Sequence, residues 1–275
     1  MAVDAKGESL FTLGAEGELM AWGLASGKQI WSHTDPALHR LESTDKKLVV
    51  VGTIPLLWTF DSEDGKQMSA IGGPPPYTET AGFASDSRGR WAWIGQERGL
   101  IRVTPGDVNG WSRRGLDIGG VTTLALSSDD DLLAVGGKDG TVRFANCKSA
   151  NVDDKRVLRG HTGAVSALAF AGKTLVSGGE DGTVRVWNLA SSKQKHFLRE
   201  KGPVVSILAG EQSVVVAAAG ASGELVVWDA GKGAELARWK NEAGAAIVAL
   251  DLADKGRTLA VAAGARVLVF DLEVP

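Results

Sequence analysis

Short runs of alternating apolar and polar residues recur along this chain, and glycine, aspartate and serine separate them. Two of the runs are nearly identical: GGKDGTVRFAN spans residues 136–146, and GGEDGTVRVWN spans residues 178–188. A period of two residues predicts β-strands, and the Asp-Gly pair before each run predicts a tight turn between antiparallel strands. We find no convincing amphipathic helix. The pattern therefore predicts an all-β protein.

The position that closes each of these strands recurs seven times. The anchor positions are Trp22, Phe60, Thr104, Ala145, Trp187, Trp228 and Phe270. Successive anchors lie 38, 44, 41, 42, 41 and 42 residues apart, and most units share an order of four short strands. Such a unit is typical of a β-propeller blade, whose sheet buries its faces against neighbouring blades. We expect one domain over residues 1–275, with blades at roughly 1–33, 34–74, 75–116, 117–160, 161–200, 201–240 and 241–275.

Composition and charge narrow the range of partners and compartments. Hydrophobic residues make up 44% of the chain and the formal net charge is -3, so bulk charge predicts neither a nucleic-acid nor a membrane partner. Cys147 is the single cysteine, which excludes an intrachain disulfide and favours a reducing compartment. The N-terminal residues lack the basic and apolar regions of a signal peptide. We expect a cytoplasmic protein.

One repeat resembles a known family closely. GHTGAVSALAFAGKTLVSGGEDGTVRVWN, residues 160–188, is similar to the repeat of the WD40 family, and the resemblance covers nearly the whole chain. In that family a buried network joins the histidine of an opening Gly-His pair, a hydroxyl on the second strand, the turn aspartate and the closing tryptophan. The resemblance implies this network at His161, Ser177, Asp181 and Trp187. It also implies a rigid seven-bladed scaffold that binds proteins or peptides through its faces and central opening.

Other repeats depart from the WD40 pattern. The fourth keeps Asp139 but has Val135 and Ala145 where the hydroxyl and the tryptophan are expected. The sixth keeps Trp228 but has Ser222 at the position of the turn aspartate. We therefore expect only one complete network.

The repeat pattern is incomplete where its two ends meet. The last repeat supplies three strands before Pro275, so its blade lacks the outer strand, and aligning MAVDAKGESLF with ALDLADKGRTL starts the first repeat inside its own first strand. One explanation is that residues before Met1 complete the seam. The other is an exposed edge, which a strand donor or an adjoining chain segment would cover.

No group of residues predicts catalysis. The four histidines, His33, His39, His161 and His196, have no metal-ligand spacing. Cys147 follows a predicted third strand, where a thiol without catalytic function is favoured over a nucleophile. SSDDD, residues 127–131, falls at a hairpin turn, which favours a solvated turn over a calcium loop. We predict no enzymatic activity, no cofactor and no metal ion.

An alternative follows from a second resemblance. GELMAWGLASGKQIW, residues 17–31, is also similar to the repeats of quinoprotein-type propellers, which often have eight blades and bind a redox cofactor. This alternative predicts a cofactor-binding or enzymatic propeller with a ligand at the central opening.

Candidate interaction residues lie in loops that the WD40 resemblance places on one face. GGPPPYTET, residues 72–80, displays Tyr77 on a loop stiffened by three prolines, or else packs it down in a plain connection. Arg98, Lys138 and Glu180 fall between second and third strands. We predict a non-catalytic protein-interaction scaffold in a larger assembly or multidomain polypeptide.

The third blade offers a second alternative, nucleic-acid binding. Six arginines lie there among three tryptophans: Arg88, Arg90, Arg98, Arg102, Arg113 and Arg114 among Trp91, Trp93 and Trp111. Arginine beside tryptophan suits both protein interfaces and stacking on bases. Strand alternation prevents all six from sharing a face, however. Arg113 and Arg114 are the candidates for such a contact.

Overall fold

The computed structural model describes residues 1–271 with short gaps. The residues outside the description are 5, 45, 53–56, 73–80, 98, 105–110, 116–119, 149–150, 200–201, 210–214, 221–222, 243, 254–257, 264–265 and 272–275. Every regular element assigned in the described residues is a β-strand, as the alternating pattern predicts. A search of the same residues for a helix long and apolar enough to cross a membrane finds none.

The chain divides into two compact units, and unit 1 comprises Met1–Asp117. It contains three four-stranded antiparallel sheets in which neighbouring strands pair in chain order. Sheet 1 is β1 (Ala2–Val3), β2 (Ser9–Leu13), β3 (Glu18–Gly23) and β4 (Gln29–Thr34); sheet 2 is β5 (Leu38–Ser43), β6 (Lys47–Gly52), β7 (Leu57–Asp61) and β8 (Gln67–Ile71); sheet 3 is β9 (Gly82–Ser85), β10 (Ala92–Gln96), β11 (Gly99–Val103) and β12 (Trp111–Gly115).

Unit 2 comprises Ile118–Pro275 and repeats the same design. Sheet 4 is β13 (Val121–Leu126), β14 (Leu132–Gly137), β15 (Thr141–Asn146) and β16 (Val152–Arg159); sheet 5 is β17 (Val165–Ala171), β18 (Thr174–Gly179), β19 (Thr183–Asn188) and β20 (Lys193–Arg199); sheet 6 is β21 (Val204–Ala209), β22 (Val215–Gly220), β23 (Glu224–Asp229) and β24 (Ala234–Lys240); sheet 7 is β25 (Ile247–Ala253), β26 (Thr258–Ala263) and β27 (Arg266–Asp271). Sheet 7 thus has three strands within the described residues.

The tight turns between second and third strands require glycine. In sheet 5, Gly182 has a φ of 72° and donates its N–H to the carbonyl of Gly179 at 3.1 Å. Its equivalent in sheet 4, Gly140, has a φ of 76°, and a Cβ there would lie 2.6 Å from the carbonyl oxygen of His161. Only a residue without a Cβ satisfies both the left-handed backbone and this close approach. The turn therefore also fixes how sheet 4 meets the loop that leads into sheet 5.

The core lies between the faces of adjacent sheets. In sheet 5, Val184 and Val186 pack in the cluster shared with sheet 6, whereas Trp187 packs in the cluster shared with sheet 4. The alternation along β19 thus buries both of its faces, as predicted. In unit 1, similar clusters join sheets 1 and 2 and sheets 2 and 3, with Phe11 and Phe60 in the first and Ile94 in the second. Because no single sheet covers both of its faces, each depends on its neighbours for burial.

Hydroxyl groups on two first strands link neighbouring sheets of unit 2. The β13 and β17 strands each contain a bulge near the start, at Thr122 and at Ser166. Thr122 Oγ1 donates to the carbonyl of Val165 at 2.5 Å, and Ser166 Oγ donates to the carbonyl of Val204 at 2.5 Å. Each bulged residue therefore bonds to the first strand of the next sheet.

Candidate functional site

A buried polar network lies at one end of sheet 5. His161 Nε2 is 2.7 Å from Ser177 Oγ, and the indole Nε1 of Trp187 donates to the same oxygen at 2.8 Å. On the other side of the ring, His161 Nδ1 lies 3.1 Å and 3.2 Å from the two carboxylate oxygens of Asp181. The structure therefore brings together the four side chains that the WD40 resemblance selects.

Each member comes from a different element of the repeat. His161 lies in the loop before β17, Ser177 on β18, Asp181 in the turn after β18, and Trp187 on β19. The side chain of His161 has no exposed surface, that of Asp181 is 8% exposed, and Ser177 is fully buried. Since a buried polar group without a partner is costly, the network holds the loop, the turn and two strands together.

Thr183 is a member that the sequence reasoning missed. Its Oγ1 donates to Asp181 Oδ1 at 2.8 Å and lies 3.0 Å from His161 Nδ1, and the residue is 2% exposed. Its backbone N–H also donates to Asp181 Oδ1, at 3.0 Å. The recurring Asp-Gly-Thr triplet was the available signal, because an aspartate that accepts from the backbone N–H two residues on forms an Asx-turn, and a threonine there can add its hydroxyl to the same oxygen.

The network fixes the charge state of its two titratable groups. Burial lowers the pKa of His161 below its usual value and outweighs the opposing effect of Asp181, so the imidazole is neutral near pH 7. Burial by itself would raise the pKa of Asp181, but hydrogen bonds from the Thr162 backbone and from Thr183 outweigh it. The pKa of Asp181 therefore lies well below its ordinary range. A neutral imidazole beside an ionised carboxylate suits a structural group with fixed hydrogen bonds.

Turns and loops next to the network form one continuous face of unit 2. The turn at 138–140 packs on the loop 161–163, since a Cβ at Gly140 would meet the carbonyl oxygens of His161 and Gly163. That loop in turn packs on the turn at 180–182, because Gly163 borders Glu180 and the backbone of Asp181. Thr162 donates its N–H to Asp181 Oδ2 at 2.9 Å. We call this surface, residues 138–140, 161–163 and 180–182, the turn face.

Two of the predicted interaction residues lie on the turn face. Lys138 and Glu180 are exposed, and the backbone N–H of each donates at 2.9 Å to the strand-entry segment of its own sheet. Both side chains therefore project from a fixed backbone.

The remaining predicted interaction residues are either outside the described residues or on β12. Tyr77 and Arg98 lie outside the described residues. Arg113 and Arg114 are on β12, the edge strand of sheet 3 in unit 1, and their side chains lie outside the description. Of the other arginines of sheet 3, Arg88 and Arg90 are exposed at the hairpin turn between β9 and β10.

In the neighbouring sheets, different residues occupy the positions equivalent to the network of sheet 5. In sheet 4, Thr141 donates to Asp139 Oδ1 from its N–H at 2.9 Å and from its hydroxyl at 2.7 Å, while Val135 and Ala145 leave no hydroxyl or indole to extend the network. In sheet 6, Glu224 takes the place of Thr183 and accepts from Arg238 Nη1 at 2.8 Å. Sheet 4 therefore keeps only the hydrogen bonds between Asp139 and Thr141 in the turn. Sheet 6 has an ion pair at the position equivalent to Thr183.

Other groups singled out in the sequence occupy structural positions. Cys147 is buried in the turn after β15, and residues 127–131 form the hairpin turn between β13 and β14. In that turn Ser127 Oγ donates to Asp129 at 2.6 Å and accepts from the Leu132 N–H at 2.9 Å. Among the described residues, no group of three or more histidine, cysteine or acidic side chains is arranged to hold a metal ion.

Comparison with known proteins agrees with this geometry. The family model described as "WD domain, G-beta repeat" matches residues 117–146 and 153–188, the segments that contain the turns of sheets 4 and 5. No curated protein sequence matches the chain.

Solved structures match the chain over nearly its full length. One, described as "Structure of U3-55K", is 19% identical with a TM-score of 0.83 and covers 98% of this chain and 94% of its own. Another, "Crystal structure of RRP9 WD40 repeats", is 19% identical with a TM-score of 0.80 and covers 95% of this chain and 86% of its own. At this identity the similarity establishes the all-β propeller fold. The matched repeats and the His161 network further make residues 117–146 and 153–188 similar to WD40 repeats.

Proposed function

We propose that this protein is a seven-bladed WD40 propeller that acts as a non-catalytic protein-interaction scaffold in a larger assembly or multidomain polypeptide. The seven sheets described above, the matched WD40 repeats and the lack of a convergent group of candidate catalytic residues in the sequence support the proposal. The sequence features that favour a reducing compartment lead us to propose the cytoplasm as its location.

The turn face carries this proposal. Its backbone is fixed by the buried network of sheet 5 and by close glycine contacts between sheets 4 and 5. Binding to a surface that is already ordered costs little conformational entropy. Lys138 and Glu180 are exposed and opposite in charge, so a partner with complementary charges gains specificity more than raw affinity from them.

Affinity capture with charge-reversed variants tests the proposal. The whole chain, immobilised by a tag, is compared with Lys138→Glu and Glu180→Lys, singly and together, and bound proteins are quantified by mass spectrometry. We expect a reproducible set of partners with the natural chain and a loss of about tenfold or more of at least one with the double variant. Lys173→Glu, an exposed lysine at the hairpin turn between β17 and β18, is the control.

Two results would contradict the proposal. One is that the natural chain captures no partner reproducibly. The other is that the turn-face variants and Lys173→Glu lose the same partners to the same degree. A bound small molecule at the central opening, or turnover that depends on residues lining it, would instead support the cofactor-binding or enzymatic alternative.

A strand donor at sheet 7 is a second part of the proposal. Val267 and Val269 on β27 are 36% and 47% exposed, whereas the third strands of the other sheets are largely buried. We propose that a partner strand or an adjoining segment of a longer polypeptide pairs with β27. Protection from hydrogen exchange in the assembly of those β27 amides that do not bond to β26, and its absence in the isolated chain, would support this pairing.

Nucleic-acid binding through sheet 3 remains a second candidate function, because a specific contact favours it. The guanidinium of Arg102 lies 5.4 Å from the ring centre of Trp91, and Arg88 and Arg90 are exposed nearby in the sequence. Binding of a single-stranded oligonucleotide should then weaken steeply with salt, and Arg113→Ala with Arg114→Ala should reduce that slope. Weak, salt-independent binding would eliminate this candidate.

A further inference from the structure

The fourth strands of four sheets carry a bulge at the same structural position. In sheets 1, 2, 5 and 6, three residues of the fourth strand lie opposite two residues of the third, so the middle residue has no partner across the ladder. This residue is Ile30, Met68, Lys195 or Leu236. Ile30 is 55% exposed, Met68 and Leu236 are each 53% exposed, and Lys195 is exposed as well. The bulge therefore presents a side chain to solvent in each of these sheets.

The outer two strands of sheet 5 lack acidic residues in their sequence. Residues 183–199 contain the cationic residues Arg185, Lys193, Lys195 and Arg199 and neither aspartate nor glutamate. The corresponding segments of sheets 1, 2, 3, 4 and 6 each contain an acidic residue, for example Glu18, Asp61, Asp107, Asp153 and Glu224. Lys193 is exposed, as Lys195 is. Two exposed cations thus lie two residues apart on an outer strand.

Lysines at the same end of the neighbouring sheets are neutralised locally. In sheet 4, Lys148 Nζ lies 2.7 Å from Asp131 Oδ1, and in sheet 6, Lys232 Nζ lies 3.4 Å from Asp229 Oδ2. Neither lysine of β20 has a carboxylate within ion-pair distance in the part of the chain that the structure describes. The charges of these two lysines are therefore available to a partner.

The residues that alternate with the lysines anchor β20. Gln194 Oε1 accepts from Arg185 Nη1 at 2.6 Å, which ties β20 to β19. His196 Nε2 lies 3.0 Å from the carbonyl oxygen of Gly231, which ties β20 to the turn before β24 in sheet 6. Because the backbone is held on both sides, binding orders little more than the two lysine side chains.

A protein segment suits this surface better than a membrane or a nucleic acid. Membrane-surface binding combines cations with inserted apolar side chains, and no large apolar side chain is exposed on the described part of β20. Nucleic-acid binding draws its affinity from many phosphate contacts, and two lysines supply few. Two residues of a strand span about 7 Å, the same spacing as alternate residues of an extended peptide. Carboxylates at alternate positions of such a peptide therefore match Lys193 and Lys195.

We propose that Lys193 and Lys195 bind an extended acidic segment of a partner protein, with carboxylates at alternate residues. The inference rests on the proposed scaffold function and adds a second binding surface to it. The two lysines lie beside the end of β19, whereas the turn at 180–182 precedes its start. One sheet thus offers the turn face at one end and a basic surface at the other.

Carbodiimide coupling tests the surface residue by residue. A labelled eight-residue peptide that alternates glutamate and serine, with both ends blocked, is mixed with the whole chain, and the reagent joins contacting carboxylates to lysine amines. Mass spectrometry then identifies the coupled lysines. We expect coupling at Lys193 and Lys195 to exceed by about tenfold that at Lys28 and Lys66, the exposed lysines at the position of Lys193 in sheets 1 and 2.

Matched variants separate local from general electrostatics. In titrations followed by fluorescence anisotropy, Lys193→Glu with Lys195→Glu should weaken peptide binding about tenfold. Lys28→Glu with Lys66→Glu changes the net charge equally and should leave the affinity unchanged. Lys193→Arg with Lys195→Arg should keep the affinity and abolish coupling at both positions, because a guanidinium does not react. If the charge-reversed variant fails to fold, the coupling pattern of the natural chain still decides the result.

Three outcomes would overturn the inference. They are equal coupling at the lysines of sheets 1 and 2, an affinity that charge reversal on β20 leaves unchanged, and displacement of the peptide by a single-stranded oligonucleotide or by phosphatidylserine vesicles that bind more tightly. If any of these occurs while the turn-face variants still lose partners, the scaffold function stands and only the β20 site is rejected.

Discussion

Sheets 4 and 5 have nearly the same turn, yet only sheet 5 builds a buried network on it. Asp181 has an 8% exposed side chain and contacts His161, whereas Asp139, at the same position in sheet 4, is 34% exposed. Both carboxylates bond to a threonine two residues later. The turn therefore forms without the network, and the histidine, serine and tryptophan convert a solvated turn into a buried link between strands.

The largest expected effect comes from removing the tryptophan of sheet 5. Trp187 is 3% exposed and fills the cluster between sheets 4 and 5, so Trp187→Ala should lower the free energy of unfolding by about 3–5 kcal/mol. Urea unfolding followed by circular dichroism at pH 7 measures this loss. The control Trp187→Phe keeps an aromatic ring but removes the indole N–H donor to Ser177 and part of the ring volume, with an expected loss of about 1–2 kcal/mol. Equal losses for the two variants would show that the site is not tightly packed.

The next effect is on the pH dependence of stability, and both titratable groups act in the same direction. The pKa of Asp181 is lowered in the folded state, so its contribution is present above the unfolded value of about 4 and is lost as the pH falls. The pKa of His161 is also lowered by burial, so the unfolded chain binds the extra proton first, and stability falls as the pH drops below about 6.5. We expect the free energy of unfolding to decrease between pH 7 and pH 4.

Variants of the two sheets separate these contributions. In urea unfolding at pH 7, 5.5 and 4, His161→Asn should flatten the part of the curve between pH 7 and 5.5, and Asp181→Asn the part near pH 4. Asp139→Asn is the matched control, because its carboxylate is more exposed and its sheet lacks the histidine. A pH profile that His161→Asn leaves unchanged would contradict the proposed link between burial and proton binding.

The sequence predicts the sheets well because their signals are local. The Asp-Gly turns, the alternation along β19 and the 41- or 42-residue spacing around Trp187 are each contained in one repeat. The four-residue network was accessible for the same reason, since one repeat matches the WD40 pattern closely. Thr183 was missed because its contact with His161 depends on geometry: the recurring Asp-Gly-Thr triplet signals the turn but does not show that the hydroxyl also reaches the imidazole.

Features that depend on register are harder to predict from the sequence. The register shift between β15 and β16 at Arg143/Phe144 follows from the strand alignment, which the repeat pattern does not specify. Likewise, the alignment placed Ser222 at the sixth turn but did not predict the Glu224–Arg238 ion pair of sheet 6. Where a repeat departs from its family pattern, the replacement contact involves residues from strands that the pattern does not constrain.

The smallest expected effect compares the two threonines directly. Thr183→Val removes a hydroxyl that contacts both Asp181 and His161 in a buried site, so it should cost about 1–2 kcal/mol of unfolding free energy. Thr141→Val removes only a bond to Asp139, whose carboxylate remains accessible to water, and should cost about 0.5 kcal/mol. Urea unfolding of both variants at pH 7 gives the difference, and valine preserves the volume and strand preference of threonine. Equal losses would mean that the histidine adds nothing to the turn, because the second hydrogen-bond partner is the main difference between the two sites.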